Sequence, residues 1–246
     1  MQKLATSLRL FAAALALCVA GTAFAQIVAE PAQDAGDIVV SPFGSMLQPN
    51  AVQTSGIIYD NTGGAANFGF SSTDLNSVWG DQVTTTGTGI LSQARFSVFN
   101  SGSSAGTLLT ATVLMQYYDA VTSSYLGGFS VNVNFGAGLG LGFYSVITVP
   151  GLDVLNIQLT TPNVIVLQKV TAKTGSASRL GFVSLNPITV GSSANSFYAS
   201  SATVGGGVAG FYLNGSNAGN PAYQILTSDF PVPAQKSTWG RLKSLY

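Results

Sequence analysis

The side chains with the clearest potential for chemistry in this sequence are its carboxylates. The 246 residues include eight aspartates and Glu30, whereas histidine is absent and Cys18 is the single cysteine. Glycoside hydrolysis needs two carboxyl groups flanking the scissile bond, and only the fold could pair Asp81, Asp119 or Asp153 in this way. Without histidine the usual base for a serine nucleophile is missing, and no serine stands in a nucleophile-elbow sequence. We therefore predict that the chain is not an enzyme and has no catalytic residues.

A second candidate chemistry is metal binding by oxygen ligands near turns. Asp60, Asn61, Asp74 and Asp81 are ligands of the kind that calcium takes in extracellular proteins. Their spacing matches no EF-hand or calcium-binding repeat, and the turn-forming tendency of Asp and Asn explains the same residues. Zinc, iron–sulfur and haem sites need cysteine or histidine. We predict no metal site and no cofactor, with structural calcium as the open alternative.

Aromatic side chains offer a third chemistry, the stacking of sugar rings. Trp79 and the neighbouring pair Tyr117 and Tyr118 are the candidates. On an exposed face they would make the chain a carbohydrate-binding module, whereas such residues more often fill the core of a β-protein. Exposure of these rings separates the two interpretations.

The charge distribution argues against nucleic acid as a partner. Only 7% of the residues are charged, compared with about 25% in ordinary soluble proteins. Phosphate binding needs lysines and arginines clustered on one face, and the basic residues between positions 26 and 230 are scattered: Arg95, Lys169, Lys173 and Arg179. The abundant Gly, Ser, Thr and Asn suit contact with glycans or with copies of the chain, and they also suit a β-protein with many turns.

The hydrophobic pattern predicts an all-β fold, an antiparallel sandwich resembling a jelly roll. The cleanest alternation lies at residues 129–135 (FSVNVNF), where every second residue is apolar, as in a strand with one buried face. The glycine-rich residues 136–142 have the wrong spacing for a nucleotide-binding loop and are predicted to be a flexible link. Ten to thirteen strands are expected, at residues 56–60, 67–71, 83–86, 90–100, 107–118, 129–135, 143–149, 154–160, 163–171, 180–185, 196–200, 209–213 and 223–227, with a further edge strand at 38–40.

One long stretch of this pattern carries no charge. The 33 residues between Asp119 and Asp153 contain neither acidic nor basic side chains. High β-propensity with low charge is typical of self-associating segments, and it is equally typical of the core of a folded sandwich. Self-association therefore stays open as a partner prediction.

The first residues indicate export. Lys3 and Arg9 precede an apolar run at residues 10–20, and Ala23-Phe24-Ala25 supplies the small residues of a cleavage site. The run is shorter than the roughly 20 residues that span a bilayer. We predict a signal peptide at 1–25 and a mature chain without cysteine, secreted or held at the cell surface.

The remainder divides into three parts. Residues 26–54 are predicted to be an extended leader, 55–230 the β-sandwich domain, and 231–246 a proline linker with a short cationic tail. In that tail Trp239, Leu242 and Leu245 recur at helical spacing. The tail is expected to dock on a sorting or envelope partner, on a membrane surface or on the domain's own flank.

Short motifs add a resemblance to a known group. Residues 79–83 (WGDQV) and 85–88 (TTGT) are similar to the G-D-x-V … G-T opening of bacterial secreted proteins of the choice-of-anchor and Pro-Glu-Pro sorting type. The apolar strand at 180–185, followed by Pro187 and residues 189–193, extends the resemblance across about 56–227. It implies a jelly-roll-like sandwich at the cell surface or in the extracellular matrix, without catalytic residues. The chain departs from the sorting group because its end has no Pro-Glu-Pro motif and no spanning helix.

These observations favour a secreted or cell-surface protein with a structural or adhesive role and no enzymatic activity. Two alternatives remain at this point. A carbohydrate-binding module would use Trp79, Tyr117 or Tyr118, and an outer-membrane β-barrel would fit the high hydrophobicity and the alternation. Several predicted strands are shorter than the 9–11 residues that a barrel strand needs.

Overall fold

The computed structural model describes residues 28–30, 32–40, 56–73, 75, 77–101, 106–193, 196–200, 211–214 and 219–228. The predicted signal peptide at 1–25, the linker and tail at 231–246, and Asp74 lie outside these residues. Within them the secondary structure is almost entirely strand, with one 3₁₀-helix at Leu152–Leu155. The described part of the chain has no helix with the length and hydropathy needed to cross a bilayer.

Sixteen strands are described. The first eight are β1 (Val28–Glu30), β2 (Gln33–Val39), β3 (Gly56–Asp60), β4 (Ala65–Ser72), β5 (Val78–Thr84), β6 (Gly89–Ser101), β7 (Leu108–Asp119) and β8 (Tyr125–Leu139). The second eight are β9 (Phe143–Pro150), β10 (Gln158–Leu159), β11 (Asn163–Gly175), β12 (Arg179–Asn186), β13 (Ser192–Ser193), β14 (Ser196–Ser200), β15 (Phe211–Asn214) and β16 (Tyr223–Ser228).

These strands form two sheets, which confirms the all-β prediction. The nine-stranded sheet has the order β1-β4-β12-β6-β16-β3, with β9 and β10 also paired to β6, and β2 paired to β9. The seven-stranded sheet has the order β15-β14-β5-β11-β7-β8, with β13 paired to β5. Every described strand pair is antiparallel except β2 with β9, which is parallel.

The apolar faces of the two sheets share one core, as expected of a sandwich. Strand β8 shows how the sequence sets this arrangement. Its inward side chains are buried in the core, namely Phe129, Val131, Val133 and Phe135, while Ser130, Asn132 and Asn134 between them are exposed. On β6 the core receives Phe96 and Val98, whereas Phe99 packs in a second apolar cluster with Tyr144 and Val183.

Several segments differ from the sequence prediction. The described strands number sixteen, compared with the ten to thirteen predicted, and β5 spans Val78–Thr84, whereas the strand was predicted at 83–86. Residues 154–160 do not form one strand, because the chain turns through the 3₁₀-helix between Gly151 and Asn156, both in left-handed conformation (φ 74° and 51°), before β10. The predicted link at 136–142 begins as strand, because β8 continues to Leu139, which is buried in the core opposite Leu108. Burial of one leucine therefore extends the strand through a glycine-rich sequence.

The leader contributes strands to the nine-stranded sheet. Strand β2 contains Ile38 and Val39 and pairs along β9, while β1 pairs with β4. An ion pair joins Asp37 on β2 to Arg95 on β6. The part of the leader at 41–55 lies outside the described residues.

Candidate functional site

The three aspartates considered for hydrolysis lie in separate settings, and Asp153 stands apart from the other two in the 3₁₀-helix Leu152–Leu155. Asp81 is in β5 and Asp119 ends β7, and both neighbour β11, where they lie opposite Val166 and Val164. Two strands and two residues of offset place their Cα atoms roughly 12 Å apart. Asp119 Oδ1 accepts hydrogen bonds from the N–H groups of Val121 (2.7 Å) and Thr122 (3.0 Å). These backbone donors hold the pKa of Asp119 below its ordinary value and make the residue part of a turn.

Asp81 is the most unusual titratable group in the described residues. Its side chain shares the inward face of β5, and only 1% of the residue is exposed. Burial raises the pKa of Asp81 well above the ordinary value, and this outweighs the lowering effect of hydrogen bonds from Ser193 Oγ (2.8 Å) and the Gln82 N–H. A carboxyl group in an apolar interior favours the neutral form because its charged form loses hydration.

Two tyrosines share this interior with Asp81. Tyr59 of β3 and Tyr223 of β16 are buried, and burial together with the charge of Asp81 raises the pKa of each hydroxyl. Asp81 Oδ1 and the two tyrosine hydroxyls have no hydrogen-bond partner within the described part of the chain. The three groups form a buried polar cluster, which lies inside the sandwich and not on a substrate-accessible surface.

Replacing Asp81 by asparagine is expected to flatten the dependence of stability on pH. At low pH the carboxyl is protonated in both states and contributes no difference. As the pH rises above the ordinary pKa, the unfolded chain releases the proton while the folded chain keeps it. The folding equilibrium then shifts toward the unfolded state by up to about tenfold per pH unit, until the raised folded-state pKa is reached. Denaturant titrations from mildly acidic to neutral pH should show that Asp81→Asn gains stability relative to wild type as the pH increases.

Ser193→Ala is the matched control for that experiment. It removes the hydroxyl donor but keeps the carboxyl, and the pH slope should persist. If the free energies of unfolding of wild type and Asp81→Asn differed by the same amount across this pH range, Asp81 would be ionised to the same extent in the folded and the unfolded chain.

The turn after β3 contains the other oxygen ligands considered for calcium. Asp60 Oδ1 accepts bonds from the Thr62 N–H and hydroxyl, both at 2.8 Å, and Oδ2 accepts one from Gln224 Nε2 at 2.9 Å. The side-chain oxygen of Asn61 accepts the Tyr223 N–H at 2.7 Å. Protein donors therefore engage these oxygens. No group of three or more metal-binding side chains occurs among the described residues.

Asn61 instead links distant segments of the chain through buried hydrogen bonds. Its amide nitrogen donates to the Pro221 carbonyl at 2.9 Å while its oxygen accepts the Tyr223 N–H. We expect Asn61→Ala to lower the free energy of unfolding by about 3 kcal/mol, because two buried backbone groups lose their partner. Denaturant unfolding measures this loss, and Asn134→Ala is the control because its bond to the Gly136 N–H is exposed. Equal stability of the two variants would contradict a stabilising role for the hydrogen bonds of Asn61.

The aromatic residues predicted as sugar-stacking candidates are buried. Trp79, Tyr117 and Tyr118 are only 1–3% exposed, so none of them presents a ring face at the surface. Tyr118 packs beside Tyr125 with ring centroids 5.3 Å apart, and Tyr125 is 56% exposed. Tyr125 is therefore an accessible ring that the sequence did not indicate. Alternation counted back from Phe129 places Tyr125 on the inward face, and the irregularity between Gly127 and Tyr125 in the pairing with β7 turns it outward. A sequence pattern does not show that irregularity.

A row of uncharged polar side chains crosses the outer face of the seven-stranded sheet. Hydrogen bonds join Thr110 to Thr174 (2.7 Å) and Thr112 to Asn132, which links β11, β7 and β8. We call this row, completed by Asn134, the polar ladder. Hydroxyl and amide groups on the outer face of a sheet can donate and accept hydrogen bonds, so the ladder can contact neutral polar partners such as glycans.

The comparisons with known proteins add no relative. No protein-family model, no curated protein and no solved structure matches this chain.

Proposed function

We propose that the chain is an exported bacterial protein with a structural or adhesive, non-enzymatic role at the cell surface or in the extracellular matrix. The observation that carries the proposal is the polar ladder, an uncharged hydrogen-bonding surface on a sheet whose opposite face is fixed by the sandwich core. Such a surface binds by many weak polar contacts and requires no reacting group. The jelly-roll-like topology belongs to the same proposal.

The sequence supports export independently of the ladder. The charged start, the apolar run at 10–20 and the cleavage site after Ala25 follow the order of a signal peptide. The resemblance of residues 79–83 and 85–88 to secreted choice-of-anchor proteins points to the same compartment. Glycans or cell-envelope components are the partners that this location and an uncharged surface favour, and nucleic acid is not.

Export is tested by fractionating a bacterial host that produces the chain with and without residues 1–25. The proposal expects the intact chain in the medium or accessible to protease on whole cells, and the shortened chain inside the cell. Retention of the intact chain in the cytoplasm would refute the proposed location. A second deletion, of residues 236–246, tests whether the tail docks the protein, because unchanged localisation would remove that role.

Adhesion is tested with the purified protein on glycan arrays and on immobilised cell-envelope material, with and without calcium. Thr110→Val and Thr112→Val together remove two hydroxyls from the ladder and preserve side-chain shape. Binding should weaken, whereas Thr160→Val, at an exposed position outside the ladder, should leave it unchanged. Equal binding by the double variant and the control would show that the ladder is not the adhesive surface.

A carbohydrate-binding module is the second candidate, and the exposed ring of Tyr125 favours it. Tyr125 lies on β8, the strand that also bears two ladder residues. The nearer of them, Asn132, is seven residues and roughly 23 Å away along the strand, so an oligosaccharide with one ring stacked on Tyr125 could reach the ladder with its other rings. Tyr125→Ala should abolish selective glycan binding if this role is correct. Undiminished binding by Tyr125→Ala would eliminate the ring as a sugar platform.

A further inference from the structure

Strand β8 is the edge of the seven-stranded sheet, and it differs from the other described edges. It has 15 residues and pairs with β7 on one side, while no described strand pairs with its other side. In an antiparallel strand, alternate residues direct their N–H and C=O groups away from the neighbour they already pair with. An edge of this length is therefore a template for another strand.

The other edges are protected in ways that β8 is not. Strand β2 carries Asp34 and Asp37 on its exposed residues, while β1, β3 and β15 have three, five and four residues. Charge and short length are the usual means by which proteins prevent edge-to-edge pairing. Strand β8 lies in the 33-residue uncharged stretch and contains no proline. Two copies of it would meet without charge repulsion.

The central part of β8 is also its most regular part. From Gly127 to Asn134 the register with β7 is continuous, and the irregularities fall outside, next to Tyr125 and beyond Asn134. Gly127, Gly136 and Gly138 have positive φ angles and bound the regular segment. The strand therefore presents residues 129–135 at the open edge, of which 129–134 keep the continuous register with β7 and Phe135 is the first residue beyond it.

That stretch is nearly palindromic, which identifies its partner. Reading FSVNVNF backwards exchanges Ser130 with Asn134 and leaves every other residue type unchanged. When two copies run antiparallel about an axis at Asn132, apolar residues face apolar residues and polar residues face polar residues at every position. The resulting pairs are Phe129 with Phe135, Val131 with Val133, Ser130 with Asn134, and Asn132 with itself.

We infer that β8 is a self-pairing interface, through which two copies of this chain join their seven-stranded sheets about a two-fold axis at Asn132. This arrangement is isologous, because each copy gives the same strand and receives it. In this register each pair consists of two odd-numbered or two even-numbered residues. Because side chains alternate between the faces of a strand, the two members of a pair lie on the same face of the joined sheet, and inward side chains stay inward. Asn132 meets its own copy on the outer face, where side-by-side asparagines exchange amide hydrogen bonds.

The pairing also covers the more exposed of the inward side chains in this segment. Among the four inward residues of the segment, Phe135 and Phe129 retain the largest exposed fractions, 9% and 6%. In the proposed register each of these rings lies opposite the other ring of the partner copy, where an aromatic cross-strand pair stabilises the sheet. The polar ladder of one copy continues into that of the next, so the dimer doubles the surface proposed for adhesion. A second copy of the chain is thus the partner in the structural role, and the pairing rests on that proposed function.

The test is the oligomeric state of the purified full chain, measured by light scattering and sedimentation at roughly 100 µM, a range that captures weak interfaces. Wild type should be a dimer. Asn132→Lys and Asn132→Asp should each be monomeric, with the dissociation constant raised at least about 100-fold by like charges that meet on the axis. An equimolar mixture of the two variants should recover the dimer, because opposite charges then face each other. That recovery also shows that both variants are folded.

Thr174→Lys is the matched control, since Thr174 is exposed on the same face but lies on the interior strand β11. It should remain dimeric. A monomeric wild type, dimers of Asn132→Lys as stable as wild type, or a mixture that stays monomeric would each overturn the inference. A monomeric protein found at the cell surface would contradict the pairing but agree with the proposed function. A dimeric protein retained in the cytoplasm would agree with the pairing but contradict the proposed function.

Discussion

Gly181→Ala is expected to lower the free energy of unfolding by at least about 4 kcal/mol, beyond the range of ordinary point substitutions. Gly181 lies in β12 between two other strands, opposite Ser71 of β4 and Phe99 of β6. A Cβ atom at this position would stand 1.7 Å from the Phe70 carbonyl oxygen and 2.7 Å from Ser71 Cα. Both are backbone atoms, so no side-chain rotation relieves the overlap. Strands β4 and β12 would have to separate, and their hydrogen bonds would weaken.

Gly56→Ala is the matched control, because Gly56 is also a strand residue but its Cβ position is open. Alanine there is expected to leave stability unchanged or to raise it by about 0.5 kcal/mol, since it restricts the unfolded chain. Thermal unfolding should place Gly181→Ala lower than Gly56→Ala by roughly 10 °C or more. Similar melting temperatures would show that β4 and β12 lie farther apart than the structure has them.

Much of the strand pattern could be predicted from the sequence because it depends on local periodicity. The strand Gly56–Asp60 was predicted with the bounds that the structure shows, and the alternation at 129–135 placed the inward and outward residues of β8 correctly. Period-2 alternation determines which side chains share a face before any partner strand is known. Turn residues such as those after Asp60 mark where such a pattern stops.

The remaining features depend on contacts between distant residues. The parallel pairing of β2 with β9 joins residues more than 100 positions apart, and no local pattern encodes it. Residues 154–160 are apolar enough for a strand, but left-handed Gly151 and Asn156 redirect the backbone. The burial of Asp81 could not be predicted either, because its side chain is covered by Tyr59 and Tyr223, which belong to the opposite sheet.

Trp79 shows most directly how packing between sheets decides a residue's role. It lies on β5 of the seven-stranded sheet, and its ring meets Phe182 of the nine-stranded sheet edge-on with centroids 5.4 Å apart. Phe70 and Phe197 complete this aromatic cluster, which joins the two sheets at one end of the sandwich. The sequence alone left open whether Trp79 stacks on sugars or fills the core. Its burial assigns it to packing.

Trp79→Ala is therefore expected to lower the free energy of unfolding by about 3–5 kcal/mol, through lost burial and the cavity left among the three phenylalanines. Trp79→Phe retains a ring and should lose less. Tyr125→Ala removes a mostly exposed ring and should change stability by less than about 1 kcal/mol. Denaturant unfolding measures the free energy of unfolding of the three variants. In a separate measurement, Trp239→Phe leaves Trp79 as the single tryptophan, and the burial of Trp79 should make its fluorescence resistant to quenching by acrylamide. If Trp79→Ala kept wild-type stability and lost glycan binding, the ring would be a sugar platform and not a link between the sheets.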